Sequence, residues 1–576
     1  MAAQPQLAPI AEFVPELDRL ARGVMADWKV PGVALAVVQD GRVMLAKGYG
    51  VRDVEAGLPV VATTQFLICS ITKSFTATAM ALLQSEGRVD WTKPVRDYLP
   101  EFRLQDPVAS ERVTVRDLLC HQSGLPRHDW VHFPGDRTPA ELLGMMRYLD
   151  LSRDLRAAWQ YNNLCYNAAG LIIERLSGLS YEAFIRTRLT DALGMTVSFT
   201  LEDLEASADA ARAYMMHEDT RLPALRLPIR TLAGGAINTS VADLASWMRL
   251  HLGRGEFEGK RLLPAALIGE LHAPRIYNTV PGFAEFGEAH YGLGFQCQSY
   301  RGDRLVLHGG GWPGWGTLMT LVPDFGIGVA VFTNSSPSDV TGTLTWYLID
   351  RLRGREPIDW RERFRKQRDE GIAQMRADKE AWAKARHPNT RPGHELAAYA
   401  GQYEHPAYGV MAIEDKGGEL HWSWRGMFAP MAHRHYETFE LPEVPDRLLP
   451  DRLPITFLTD REGNIVSLST PLEPMVKDIV FARLAAGECT ELAFRARCVG
   501  TFKSGPTVHR VTLRDGQLVL DSDYQPTYRL TPQQGRSFRI VELEGFVVEF
   551  RGEGTTIDEA IFHQPNGTFV ATRVEE

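Results

Sequence analysis

Over residues 10–27, IAEFVPELDRLARGVMAD, apolar side chains fall three and four positions apart, the spacing of an amphipathic helix with one face on a sheet. The period then shortens. GVALAVVQDGRVMLAKGYGVRD carries two apolar runs on either side of Asp40-Gly41, a dipeptide that supplies the positive φ of a tight hairpin, so antiparallel sheet is expected rather than a βαβ unit. From Ser70, SITKSFTATAMALLQSEG predicts a helix of good formers terminated at Gly87. Helical patterns dominate residues 90–250, as in NAAGLIIERLSG and in TSVADLASWMRLHLG, where Thr239 or Ser240 is placed to cap. An all-helical subdomain is expected there. Strand patterns return at YGLGFQCQSY, DRLVLHGGG, GTLMTLVPD and GIGVAVFTN, and a last helix is expected near 338–353.

Residues 359–386 are dominated by charge and end at HPNTRPG, a Pro- and Gly-containing break, so they read as an exposed connecting helix at a domain boundary. The C-terminal remainder of the chain is rich in short β patterns with a weak internal repeat about a hundred residues apart. YAGQY with IEDKGGELHWSW parallels CVGTF with LRDGQLVLDS: a Gly-x-aromatic step, an acidic turn, then a new strand. Two small antiparallel β-barrel or sandwich domains are expected, with a single larger β domain as the alternative. The fold class is therefore α+β. The expected division is a first domain over 1–357, a helical linker over 358–392, and β domains over 393–486 and 487–576.

Length and composition narrow the partners. A chain of 576 residues exceeds one core, and 44% hydrophobic with 23% charged residues is ordinary globular composition. A formal charge of -9 argues against nucleic acid, which needs clustered Lys and Arg. A small-molecule or short-peptide substrate is expected instead, with no nucleic acid or membrane partner; a homo-oligomer stays open. The N-terminal MAAQPQLAPIAEF has no basic region followed by an apolar one, and no run of about 18 apolar residues occurs, so a cytoplasmic, unexported chain is expected. The six cysteines lack CxxC spacing and read as free thiols, although Cys489 and Cys498 are spaced to pair across a hairpin if oxidised. The sixteen histidines show no metal-ligand spacing, so neither metal nor other cofactor is expected.

Candidate chemistry starts at Ser70-Ile71-Thr72-Lys73, which puts a hydroxyl at a helix start and an amine close to one turn on. A serine needs a base, and a lysine serves as one only when unprotonated; helix dipole and burial both disfavour its ammonium. The same helix start offers the Ser70 N–H to an oxyanion. Alone, S-x-x-K recurs by chance and reads as a capping serine with a solvated lysine. Tyr161-Asn162-Asn163, on the polar stretch WQYNN before a helix, adds a phenol able to shuttle a proton and an amide, Asn163, able to hold a substrate carbonyl or the lysine. By itself it is an ordinary turn. His308-Gly309-Gly310-Gly311 follows an apolar strand, and consecutive glycines let a substrate lie against backbone; the competing reading is a glycine-rich hairpin. Cys69 is a remote alternative nucleophile.

In the order S-x-x-K, Y-x-N, H-G-G, the sequence resembles the class C branch of the serine β-lactamase and penicillin-binding-protein superfamily, which includes D-alanyl carboxypeptidases, D-stereospecific aminopeptidases and β-lactamase-like esterases. The resemblance spans roughly residues 10–355, with LLCHQSGLP, GGAINTSVADLASWM, YGLGF and LVPDFGIGVAVFTN as supporting signatures. It implies an antiparallel sheet flanked by helices plus the helical subdomain, Ser70 as acylated nucleophile, Lys73 and Tyr161 as base and acid in undecided order, and Asn163 as a substrate and lysine contact. It further implies an oxyanion hole of the Ser70 and Gly311 N–H groups, with Gly309 and Gly310 against the substrate. His308 stands where many relatives carry the lysine of a K-T-G triad, which leaves carboxylate binding to a protonated His308 at lower pH. The β modules resemble those of D-stereospecific aminopeptidases, in which a loop reaches the active site; LDSDYQPTY, with Asp521 and Asp523 facing a substrate ammonium, is the candidate, against an exposed turn. The expected function is an amidase or aminopeptidase acting on small peptides or amino-acid amides, D-configured by resemblance. A broad carboxylesterase with weak β-lactamase activity and a non-turnover penicillin-binding receptor are the alternatives.

Overall fold

The computed structural model describes residues 9–217, 220–279, 282–442, 452–514, 516–523, 525–540, 543, 545–552 and 556–574. They fall into two compact units. The described part of the first comes from Met1–Ala385 and Leu472–Lys477, and the second runs from Arg386 through both C-terminal β modules.

The long helices of unit 1 are α1 (Val14–Asp27), α2 (Thr72–Ser85), α3 (Asn163–Ser177), α4 (Val241–Leu252), α5 (Val340–Leu352) and α6 (Trp360–Lys384). Helix α1 follows a short 3-10 turn, Ile10–Glu12, and Pro15 stands in its first turn, where a missing N–H costs nothing. It buries Leu17, Ala21, Val24 and Met25, the stripe expected from the apolar spacing.

The central sheet has nine strands, all antiparallel. In chain order its main strands are β1 (Gly32–Gln39), β2 (Arg42–Asp53), β3 (Gln296–Tyr300), β4 (Asp303–Trp312), β5 (Trp315–Val322) and β6 (Ile327–Thr333). Their order across the sheet is β3-β4-β5-β6-β1-β2, with two short strands beyond β3 and Leu58–Pro59 beyond β2. The turn between β1 and β2 puts Asp40 and Gly41 at φ 47° and 73°, the pair of positive values that matches the twist of the flanking strands. Strand β1 is buried along both faces. Val33, Leu35 and Val37 join Leu17 and Val24 of α1 and Leu344 and Leu348 of α5 in one core, while α4 lays Met248 and Leu252 over Gly328 of β6 on the opposite face. The result is a sheet covered on both sides by helices.

The stretch 90–250 is mainly helical. It also holds a hairpin, Tyr214–His217 with Thr220–Pro223, and a two-residue strand, Asn238–Thr239, that pairs with Phe66–Leu67 just before Ser70. Segments this short leave no periodicity in a sequence.

In unit 2, Leu396–Tyr399 leads into a nine-stranded antiparallel sheet whose edge strands, Met427–Pro430 and Ala432–His435, are separated by Met431 alone. The sheet must therefore curl until its edges meet. Leu492–Cys498 leads into eight strands that close into a barrel through Thr501↔Val574. The repeat is visible in a shared latch. Arg483 donates to Ala400 O (2.5 Å) beside Gly401 and lies over the Tyr403 ring, as Arg573 donates to Val499 O (2.9 Å) beside Gly500 and lies over the Phe502 ring. Cys489 and Cys498 are buried free thiols in the barrel core.

Candidate active site

Ser70 sits in the 3-10 turn Cys69–Ile71, which runs directly into α2. The turn is pinned from three sides. Ile68 N–H donates to Ile237 O (2.9 Å), Thr317 of β5 donates to Ile68 O (2.9 Å), and Ile237 N–H donates to Thr72 Oγ1 (3.1 Å). These bonds hold Cys69 at φ 51°, a left-handed conformation that costs a non-glycine residue about 1–3 kcal/mol. The N-cap position of α2 falls on Ile71 rather than Ser70, and the Ser70 hydroxyl bonds side chains instead.

Helix α2 is enclosed, with Phe75 stacked on Trp247 at 3.8 Å, and it buries Lys73 completely. Three oxygens surround the Lys73 amine: Gly234 O at 2.6 Å, Asn163 Oδ1 at 2.8 Å and Ser70 Oγ at 3.1 Å. A neutral amine has two N–H donors and one lone pair, so the carbonyl and the amide take the donors and the lone pair is left for the Ser70 proton. Burial first, and then the nearby Arg127 guanidinium, push the Lys73 pKa well below the ordinary lysine value; Asp129 opposes them.

Tyr161 donates to the same Ser70 Oγ at 2.9 Å. His121, Tyr291 and Trp159 surround its ring, and this burial pushes the phenol pKa up, so Tyr161 carries its proton at neutral pH. Asn162 caps α3 by accepting from Cys165 N–H (2.9 Å), which leaves Asn163 as the first helical residue. Asn163 Nδ2 donates to Asp129 Oδ1 (3.3 Å), so its Oδ1 is turned to Lys73. Asp129 also receives Arg127 Nε at 2.6 Å and lies 3.0 Å from His132 Nε2, and its carboxyl is held well below the usual range.

His308 lies on β4. Its Nδ1–H donates to Gly309 O (2.6 Å), which leaves Nε2 to accept from Tyr291 OH (2.7 Å). Burial, helped by Lys73, lowers its pKa to about 3. The expectation that a protonated His308 grips a carboxylate is thereby corrected: the ring stays neutral across ordinary pH because both nitrogens are bonded and the side chain is buried. Strand β4 pairs with β3 only as far as Leu307, so among the described residues Gly309, Gly310 and Gly311 have no strand partner on that edge. A Cβ on Gly310 would overlap Ile68 O and come within 2.9 Å of Cys69 Cβ, whereas one on Gly311 meets nothing within 4 Å. Gly311 and Ser70 line the same small cavity, of about 150 Å³, with Asn163, Gly234, Arg127 and Asp129.

Unit 1 thus brings together Ser70, Lys73, Tyr161, Asn163, His308 and Gly309–Gly311. Asp521 and Asp523 belong to the barrel of unit 2; Asp521 is exposed, and Asp523 pairs with Arg510 (3.3 Å) and accepts from Val508 N–H (3.2 Å). Cys69 is buried, which pushes its thiol pKa up, and its Sγ faces Leu67 O, so it is no nucleophile. Sequence reasoning missed Gly234, although GGAINTS was a family signature, and missed Arg127 and Asp129, which come directly after LLCHQSGLP.

Residues 17–353 match the family described as Beta-lactamase, and residues 385–483 match a domain of unknown function, DUF3471. Unguisins hydrolase ungD' of Aspergillus campestris (strain IBT 28561) is 31% identical over 410 residues, 67% of this chain and 75% of that one. Protein flp of Staphylococcus aureus (strain N315) is 25% identical over 326 residues, 55% and 62% of the two chains. Among solved structures, the octameric penicillin-binding protein homologue from Pyrococcus abyssi superposes with a TM-score of 0.54 at 25% identity, covering 81% of this chain and 99% of that one.

The glycine geometry predicts that Gly310→Ala displaces the Ser70 turn and slows Ser70 labelling by a fluorophosphonate on the order of 100-fold. Gly311→Ala leaves the melting temperature unchanged. Labelling rates and melting curves of the two variants check both.

Proposed function

The chain belongs to the β-lactamase family of serine hydrolases, and on that premise we propose that Ser70 is the acylated nucleophile, neutral Lys73 its base and Tyr161 the acid for the leaving group. The observation that carries this reading is the three-oxygen cage around Lys73, which leaves its lone pair only the Ser70 hydroxyl. As Oγ attacks the substrate carbonyl carbon, its proton passes to Lys73. The carbonyl oxygen becomes an oxyanion facing the Ser70 and Gly311 N–H groups. Collapse breaks the carbonyl–nitrogen bond while the departing nitrogen takes the Tyr161 proton, and the proton on Lys73 is the one available to restore the phenol. Water then attacks the acyl-enzyme with the roles reversed.

Amides are the favoured substrates, because a nitrogen leaving group needs the proton that a buried, protonated phenol supplies. Among the described residues that line the site, no cation is left uncompensated. His308 is neutral and Arg127 is paired with Asp129, so a carboxylate such as a penicillin carries has nothing to neutralise it. Small peptides and amino-acid amides, D-configured by family resemblance, are the proposed class.

Mass measurement after exposure to a fluorophosphonate should show one adduct, on Ser70, absent in Ser70→Ala; amide turnover should be lost with it. A β-lactam adduct that persists without any amide turnover would instead make the chain a receptor. The acid limb of kcat/KM reports Lys73, which is active when unprotonated. Because Arg127 lowers the Lys73 pKa, Arg127→Gln should raise it and move that limb to higher pH, with no inflection from His308 between pH 5 and 9. A limb that stays in place in the variant would remove Lys73 as the base.

A further inference from the structure

A second and larger cavity adjoins the nucleophile pocket. Its volume is about 730 Å³, against about 150 Å³ at Ser70, and Trp312 lines both. Sites that enclose a ligand of many atoms usually measure about 300–1,000 Å³, so the space at Ser70 alone fits only a small group while its neighbour has room for several side chains. Trp312 is a fixed wall. It follows Gly311 at the end of β4, donates through Nε1 to Leu227 O (3.2 Å), and stacks on Phe133 at 4.7 Å; Phe133 itself lines the nucleophile pocket.

The larger cavity is lined by Leu58, Leu204, Leu225 and Trp315 among other apolar groups, and Leu58 and Leu225 stand more than a third exposed. Its charged lining groups have partners of their own. Asp53 is bonded to Arg212 (2.9 Å), Glu205 to Arg226 (2.5 Å), and Glu55 accepts from Tyr214 OH (2.7 Å). Arg52 is spent on the carbonyls of Pro59 and Ala208. An anionic ligand would have to displace a partner of Arg52, Arg212 or Arg226. Of these groups Glu55, bonded to a neutral hydroxyl, is the one charge outside an ion pair or carbonyl contact. An apolar, uncharged stretch needs only to displace water from the leucines and the indole.

We propose that this cavity is a distal subsite that receives an apolar, uncharged stretch of a peptide whose reacting carbonyl lies at Ser70, so that the chain selects apolar oligopeptides over single amino-acid amides. The assignment rests on the amidase reading and names its substrate class.

The test uses the full chain carrying Ser70→Ala, so that nothing is consumed. Calorimetric affinities are compared for alaninamide and for a pentapeptide amide of Ala, Leu and Phe, each in the D and the L series. The pentapeptide amide should bind at least tenfold more tightly in one series. Filling the cavity with Ala208→Trp or, separately, Ala224→Trp should cut that advantage below twofold. An advantage under tenfold in both series, or one that survives either filling variant with an unchanged melting curve, overturns the proposal. Turnover of the same amides by the unaltered chain is scored separately: preferential binding without turnover would sink the amidase reading and leave the subsite standing.

Discussion

An ammonium group removed from water with no anion in contact costs several kcal/mol, and a fully buried lysine escapes that cost by giving up its proton. Lys73 is in this position: it has zero exposure, its hydrogen-bond partners are neutral oxygens, its other close neighbours are the Tyr161 and Tyr166 rings, and the Arg127 and Asp129 charges that act on it oppose each other. The same burial that makes a lysine an expensive helix residue makes its amine a base. Everything else in unit 1 bears on how that burial is achieved and how the free lone pair comes to face one hydroxyl.

The enclosure is built from both sides of the sheet edge. Helix α2 is buried almost all round, which a helix tolerates only when other elements cover every face. Trp247 of α4 stacks on it, and Gly234 caps the amine with a carbonyl. The YGLGF segment comes so close that a Cβ on Gly294 would lie 2.6 Å from Lys73 O. Strand β4 contributes by what it lacks: Gly310 brings its backbone against the Ser70 turn, and pairing with β3 stops at Leu307, so the same strand that fixes the nucleophile leaves an edge for a substrate. A single stretch of glycines therefore serves packing at one residue and access at the next.

Much of this was legible in the residues, and the gaps have physical causes. The β1–β2 hairpin, α1 and the Ser70–Lys73 turn depend on contacts within a few positions, so spacing and turn chemistry announced them. Tyr161 and His308 lie 91 and 238 residues from Ser70, and only the family resemblance tied them to it. Gly234 acts through a carbonyl oxygen, which every residue has, so its side chain carried no signal. Arg127 and Asp129, two positions apart, look like a surface ion pair until the fold buries Asp129 against Asn163. In the C-terminal half the turn pairs disclosed strands and the repeat, but closure of the last barrel depends on pairing Thr501 with Val574, a contact between the two ends of the module that no local pattern encodes.

The central claim is that Lys73 is unprotonated in the folded chain at neutral pH. It is tested most directly by following the Cε resonances of ¹³C-labelled lysine against pH in the intact protein and in Lys73→Met. The account predicts one resonance, missing from the variant, that titrates well below the ordinary lysine value of about 10.4. If every lysine, Lys73 included, titrates near that value, the amine is a cation in the pocket and the account is wrong.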